Sequence, residues 1–194
     1  MDEQIATFDD PGRLDRELAS VNAEIEVAPT AKLLRKRGVL LAMQREFSLA
    51  IAAFDAAITL EPEDADAFYN RGAVYSQIGN VQDAIDDYTS AIEADADHSL
   101  AYSNRGMEYL QREEFDAALC DLQIAIRLNP DDHPGMHAMA IVYLERDDKH
   151  DGDVIKAMQL TKKACELTNY EYDLYVETLV EIERLLNASL EPDG

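Results

Sequence analysis

Apolar residues recur along this chain at helical spacing, and the whole pattern returns every 34 residues. The columns are Leu34, Phe68 and Tyr102; Gly38, Gly72 and Gly106; Leu41, Tyr75 and Tyr109; Ala50, Ala84 and Ala118; Phe54, Tyr88 and Leu122; and Ala57, Ala91 and Ala125. Within each unit they divide into two stretches of helical period, which predicts two helices per unit. The Gly and Ala columns lack bulk, so paired helices can approach closely there, and the aromatic and Leu columns fill the space beside them. A period of this length marks a repeat array.

The same pattern sets the expected organisation. Residues 1–30 read as a polar N-terminus, frayed over 1–11, and a capping helix on Leu14, Leu18, Val21 and Ile25 that Pro29 closes. Residues 31–64, 65–98 and 99–132 are three full repeats. Pro62 and Pro130 end second helices, and Asp64, Asp97 and Asp132 are the expected N-caps. Residues 133–170 form a degenerate fourth repeat. There Met136, Ala140 and Tyr143 keep the first-helix columns, whereas Ala157, Thr161 and Ala164 lag by five residues. That five-residue insertion is placed in the turn from Asp147 to Gly152. Residues 171–194 are a C-terminal capping helix, through Leu174, Leu179, Ile182 and Leu186, with a short tail. End pieces are expected because a terminal repeat otherwise leaves an apolar face wet.

The period, the helix–turn–helix unit and the spacing of Gly72, Tyr75, Ala84, Tyr88 and Ala91 resemble the tetratricopeptide repeat family. The resemblance is strong over residues 31–132 and weaker elsewhere. The chain departs from the family pattern in carrying Leu34, Phe68 and Tyr102 for its opening Trp, and Arg37, Arg71 and Arg105 for the Leu before glycine. Asn70-Arg71-Gly72 and Asn104-Arg105-Gly106 resemble an Asn-Arg-Gly form associated with bacterial arrays.

The resemblance implies an all-α fold, a tetratricopeptide-type α-solenoid: a right-handed superhelix of antiparallel helix pairs with N- and C-terminal capping helices. It also implies that the first helix of each unit lines a concave groove. Together with helical period, this nominates Lys32, Arg35, Lys36 and Val39, then Asp66, Tyr69, Asn70 and Ala73, then Leu100, Ser103, Asn104 and Met107, and finally His137 and Ile141. Some family members clamp the C-terminal carboxylate of chaperone tails. At the matching positions, Arg35, Val39, Asn70, Leu100 and Asn104, only Asn70 agrees outright and Arg35 in charge, so the resemblance does not extend to that clamp.

Composition narrows the partners. The 194 residues are 47% hydrophobic, enough for one solenoid domain with a continuous core. Seventeen Lys and Arg against 40 Asp and Glu leave a formal charge of −23, which repels phosphate backbones and anionic lipid, so neither nucleic acid nor membrane is an expected partner. No apolar run of about 18 residues predicts a spanning helix. The opening MDEQIATFDD has neither a basic segment nor an apolar run, which sets a cytoplasmic expectation. Cys120 and Cys165 read as free and buried. Against the global charge, Lys32, Arg35, Lys36 and Arg37 place four basic residues within six positions. At one end of a groove, with Asn70 and Asn104 beyond, such a cluster suits a carboxylate or an acidic peptide. The other reading is that it balances the acidic helix around Glu17, Glu24 and Glu26.

Catalytic chemistry is not evident. The loop from Asp147 to Asp153 fails as a calcium site, because Lys149 takes a ligand position and Met158 stands where a bidentate Glu is needed. His133 and His137 share a helix face, yet no third ligand follows at a suitable spacing. No nucleophile triad order, phosphate loop or Cys-x-x-Cys occurs. Arg71 precedes Asp87, and Arg105 precedes Asp121, by 16 residues, while Arg105 follows Asp87 by 18. Either pairing predicts partly buried Arg–Asp bridges between packed helices.

The expected function is thus non-enzymatic, with no catalytic residue, metal or cofactor: a scaffold holding a peptide or partner protein on Lys32, Arg35, Lys36, Tyr69, Asn70, Ser103, Asn104, Met107 and His137. The alternative is self-assembly into a homo-oligomer through the end helices or the convex face, which exposed apolar residues on the last helix would favour.

Overall fold

The computed structural model describes residues 12–146 and 152–190, and these form helices and turns without a strand. In order they are α1 (Arg13–Val27), α2 (Ala31–Met43), α3 (Phe47–Leu60), α4 (Ala65–Gln77), α5 (Val81–Ala94), α6 (Ser99–Gln111), α7 (Phe115–Leu128), α8 (His133–Glu145), α9 (Asp153–Leu167) and α10 (Asp173–Leu190). The segments expected to fray (1–11) and to carry the insertion (147–151) lie outside the described residues, as does the tail 191–194.

Helices pack most extensively in the pairs α2 with α3, α4 with α5, α6 with α7 and α8 with α9. The glycine column explains how closely they meet. A Cβ added at Gly38 would lie 2.5 Å from the Phe54 ring, and one at Gly106 would lie 2.8 Å from Leu122 Cγ. Nothing larger than glycine fits unless those buried side chains move. The link inside each of the first three pairs needs a left-handed residue, supplied by Arg45 (φ 63°), Gly79 (φ 80°) and Glu113 (φ 60°) at 34-residue intervals.

Successive pairs also touch unequally. First helices contact one another, α2 with α4, α4 with α6 and α6 with α8, while α3, α5 and α7 make no comparable contact among themselves. The stack therefore closes on the side of α2, α4, α6 and α8, and these helices line its inner face.

N-caps follow the period rather than residue type. Asp64 Oδ1 accepts from the Ala67 amide and Asp132 Oδ1 from the Gly135 amide, each at 3.1 Å. In the third unit the cap is His98, not Asp97: His98 Nδ1 accepts from the Ala101 amide at 3.2 Å. His98 holds the same register as Asp64, and a neutral ring nitrogen accepts as an oxygen does. Asp97 lies one residue early, with its own amide donating to Asp95 Oδ1.

The apolar columns form the core, with Phe54, Tyr88, Leu122, Met136 and Ile182 fully buried. Cys165 is buried and free; Cys120, expected inside, is free but exposed, on the face of α7 turned away from α6. At the C-terminal end, Tyr175 rather than Leu174 enters the core, and Leu174 stays 60% exposed.

Both central arginines bridge within their own helix pair. Arg71 donates from Nε to Asp87 Oδ2 (2.8 Å) and from Nη2 to Asp87 Oδ1 (2.6 Å). Arg105 does the same to Asp121 at 2.7 and 2.9 Å. The third donor reaches back one pair, Arg71 Nη1 to Asp55 and Arg105 Nη1 to Thr89 Oγ1 (2.9 Å). Hydrogen bonding to Asp87 raises the Arg71 pKa still further, so the guanidinium stays charged, whereas burial pushes the Asp87 carboxyl above its ordinary value against the pull of Arg71.

Candidate functional site

The inner face begins at α2, whose N-cap Thr30 accepts from the Leu33 amide at 3.2 Å and fixes the first turn. Lys32 and Lys36 are exposed there. Arg35, one turn from Lys32, is already engaged. Its Nη1 donates to Asp64 Oδ1 at 2.5 Å and to Asp66 Oδ2 at 2.7 Å, tying α2 to the start of α4.

The middle of the face is aromatic and amide. The Tyr69 ring lies 4.9 Å from His98 and 5.9 Å from Tyr88 between centroids. Asn104 Nδ2 donates to the hydroxyls of Tyr69 and Tyr88, at 3.4 Å each. Burial pushes the Tyr69 phenol above its ordinary range, so it remains a neutral donor and acceptor. Asn70 Nδ2 donates to the Asp66 carbonyl at 2.6 Å. Asn70, Asn104 and Met107 are half-buried, with Met107 packed on the cluster beneath α6 and α8. Leu100 stands 48% exposed at the rim. Glu108 belongs to none of the columns that the 34-residue period nominates. It is buried, its Oε1 accepts from Ser76 Oγ, and its Oε2 has no partner.

Toward α8 the face closes. Ser103 is 2% exposed, roofed by the start of α8 at Gly135. His137 is 9% exposed because α10 lies across it: its Nε2 is 3.0 Å from Thr178 Oγ1 and its ring 4.5 Å from that of Tyr175. Burial lowers the His137 pKa and keeps the ring neutral. His133 Nδ1 meets the Tyr175 hydroxyl at 3.1 Å, so each of the two histidines engages α10 through one ring nitrogen. Among the described residues no three His, Cys, Asp or Glu side chains come together in a way that would hold a metal, and no helix is long and apolar enough to cross a membrane.

Lys32, Lys36, Tyr69, Asn70, Asn104 and Met107 thus share an accessible inner row, Arg35 is tied into it, and Ser103 and His137 lie beneath its far end. Helical period alone could not place the last two, because their cover comes from Gly135 and from α10, which are distant in sequence.

The Tetratricopeptide repeat family model matches residues 35–99. Over those residues the chain is similar to that family. A search of curated proteins found no match. Among solved structures, MamA resembles this tetratricopeptide solenoid with a TM-score of 0.69 at 23% identity, over 81% of this chain and 90% of that one. A tetratricopeptide repeat protein from Parabacteroides merdae gives 0.71 at 17% identity, over 91% of this chain and 68% of that one. YrrB, a TPR protein with an unusual peptide-binding site, gives 0.65 at 19% identity, over 84% and 82%. At these identities the likeness is one of fold, the tetratricopeptide-type α-solenoid.

Proposed function

We propose that this solenoid is a non-enzymatic interaction module that holds a peptide or partner protein along the inner face of α2, α4 and α6. The observation that carries the reading is the packing asymmetry. First helices touch one another and second helices make no comparable contact among the described residues, so the accessible side chains of α2, α4 and α6 converge on one surface. That surface offers amide and phenol groups able to bond an extended backbone, from Asn70, Asn104 and Tyr69. It starts at a basic end, where Lys32 and Lys36 are exposed and unpaired among the described residues, which favours a partner with an acidic or carboxylate group. The fold likeness to YrrB supports a peptide ligand. We read residues 31–64, 65–98 and 99–132 as the repeats, of the Asn-Arg-Gly form, 133–170 as a degenerate fourth, and 1–30 and 171–194 as end pieces of a cytoplasmic protein.

The test is affinity capture at fixed salt, comparing the native protein with Lys32→Ser/Lys36→Ser and with Asn70→Ala/Asn104→Ala. A partner retained by the native protein and lost by both variants is the expected result. Equal retention by all three would move the binding surface off the inner face.

A second reading, homo-oligomerisation through the end helices, draws support from Leu174 and Val180 of α10, each 60% exposed. Light scattering decides it. A monomeric mass at high concentration removes this reading, and a dimer that Val180→Glu dissociates would establish it.

A further inference from the structure

The arginines before the three glycines are chemically one residue in three places, and the first lacks what the other two have. Arg71 and Arg105 spend Nε and Nη2 on the carboxylate 16 residues ahead, and Nη1 on an oxygen 16 residues behind. Around Arg37 those two registers hold Ala53 and Val21, both buried and neither able to accept. Arg37 Nε is buried with no hydrogen-bond partner. No ion pair to Arg37 forms among the described residues, and the single carboxylate on α3, Asp55, is committed to Arg71.

A desolvated guanidinium donor without an acceptor is costly, and most such groups in folded proteins are satisfied. The guanidinium fork matches a carboxylate with two parallel bonds, as Arg71 and Arg105 demonstrate in this molecule. Electrostatics points the same way. With a net charge of −23 most of the surface repels an incoming anion, but Arg37 shares α2 with Lys32 and Lys36, the exposed basic stretch.

We infer that Arg37 is a binding site for a carboxylate of the partner, which takes the place that Asp87 and Asp121 fill in the next two units. This rests on the interaction-module reading and sharpens it. The anchor for an acidic group is Arg37, a residue that the repeat pattern assigns to a structural bridge, whereas Arg35 is occupied by Asp64 and Asp66. The chemistry is shared by an Asp or Glu side chain and by a chain-terminal carboxylate.

The experiment reads the Nε–Cζ correlations of the arginines in the full chain by NMR, which needs no slowly exchanging proton. Acetate is titrated against chloride at constant ionic strength. Arg37 is expected to shift saturably while Arg71 and Arg105 do not move. Two capped peptides then separate the sources: Ala-Ala-Asp-Ala-Ala amide carries a side-chain carboxylate, and Ala-Ala-Asn-Ala-Ala free acid a terminal one. Either shifting Arg37 supports the site and names its preferred source. Ala53→Asp supplies the carboxylate internally, and it should bring the Arg37 signal to the position of Arg71 and abolish the titration. An Arg37 signal indifferent to acetate and to both peptides, or one that titrates unchanged in a folded Ala53→Asp protein, overturns the inference. The native titration decides by itself if that variant does not fold. Failure here with capture still lost in the inner-face variants would remove only this site. Equal capture by all variants with Arg37 still titrating would remove the inner-face reading instead.

Discussion

Ser103 stands to Asp132 as Arg35 stands to Asp64, 29 residues ahead of a helix N-cap on the neighbouring first helix. In the earlier pair the guanidinium bonds the cap carboxylate at 2.5 Å. In the later pair a short hydroxyl replaces it. Both polar groups converge on Gly135, where an added Cβ would lie 2.2 Å from Asp132 Oδ2 and 3.0 Å from Ser103 Oγ. Neither Asp132 Oδ2 nor Ser103 Oγ has a partner, although both are buried. Ser103→Ala removes one of these two unpartnered polar groups from the covered site without adding volume. The expected result is a thermal stability unchanged or raised by up to about 1 kcal/mol, because a buried hydroxyl without a partner carries a desolvation cost of that order. A loss of more than about 1 kcal/mol would show that the Ser103 hydroxyl is hydrogen-bonded after all.

Arginine truncation should separate the three units. Arg105→Leu strands Asp121, whose side chain is 6% exposed, and is expected to cost about 3–5 kcal/mol in urea unfolding. Arg37→Leu strands no carboxylate and should cost less than about 1 kcal/mol. Equal midpoints for the two variants would contradict the geometry.

The glycine column makes a graded prediction. Gly38→Ala drives a Cβ to 2.5 Å from the Phe54 ring, which is buried and can move only against packed neighbours, so overpacking of about 1–3 kcal/mol is expected. At Gly72 the nearest atoms lie 3.0 Å away, and the gain in helix propensity, about 1 kcal/mol, offsets much of the strain. Chemical unfolding of the two alanine variants should rank Gly38 well below Gly72.

His137 gives the C-terminal end a pH dependence of defined sign. Burial lowers its folded pKa below the ordinary value of 6.5. The unfolded chain thus binds the proton first as pH falls, and stability is lost through the window below that value. Amide protection factors in α10, taken against the intrinsic exchange rate at each pH, should fall between about pH 7 and pH 5.5, since His137 is held by Thr178 and Tyr175 of that helix. His137→Gln should flatten the response. An unchanged slope would assign it to another group.

The α4–α5 turn carries Gly79 where the neighbouring turns place Arg45 and Glu113 at positive φ. Glu113→Gly should stabilise by about 0.5–1 kcal/mol, because glycine meets no Cβ penalty there. A differential melt against the native protein checks it.

By itself the sequence determined the helix pairs, the apolar columns and the presence of Arg–Asp bridges at Arg71 and Arg105, leaving open which of two pairings forms. These depend on local period and on register between adjacent helices, which a 34-residue repeat copies faithfully. The same period carries the cap to His98, although residue preference alone pointed to Asp97. Tertiary structure decided the rest. Arg35 reads as a free groove cation until α4 brings Asp64 and Asp66 against it. Ser103 and His137 read as accessible until the start of α8 and the first turns of α10 cover them. The exposed Cys120 and Leu174 likewise turned on which face of α7 and α10 met a neighbour. The repeating pattern gives each helix its own face; what covers that face belongs to another part of the chain, and no local period encodes it.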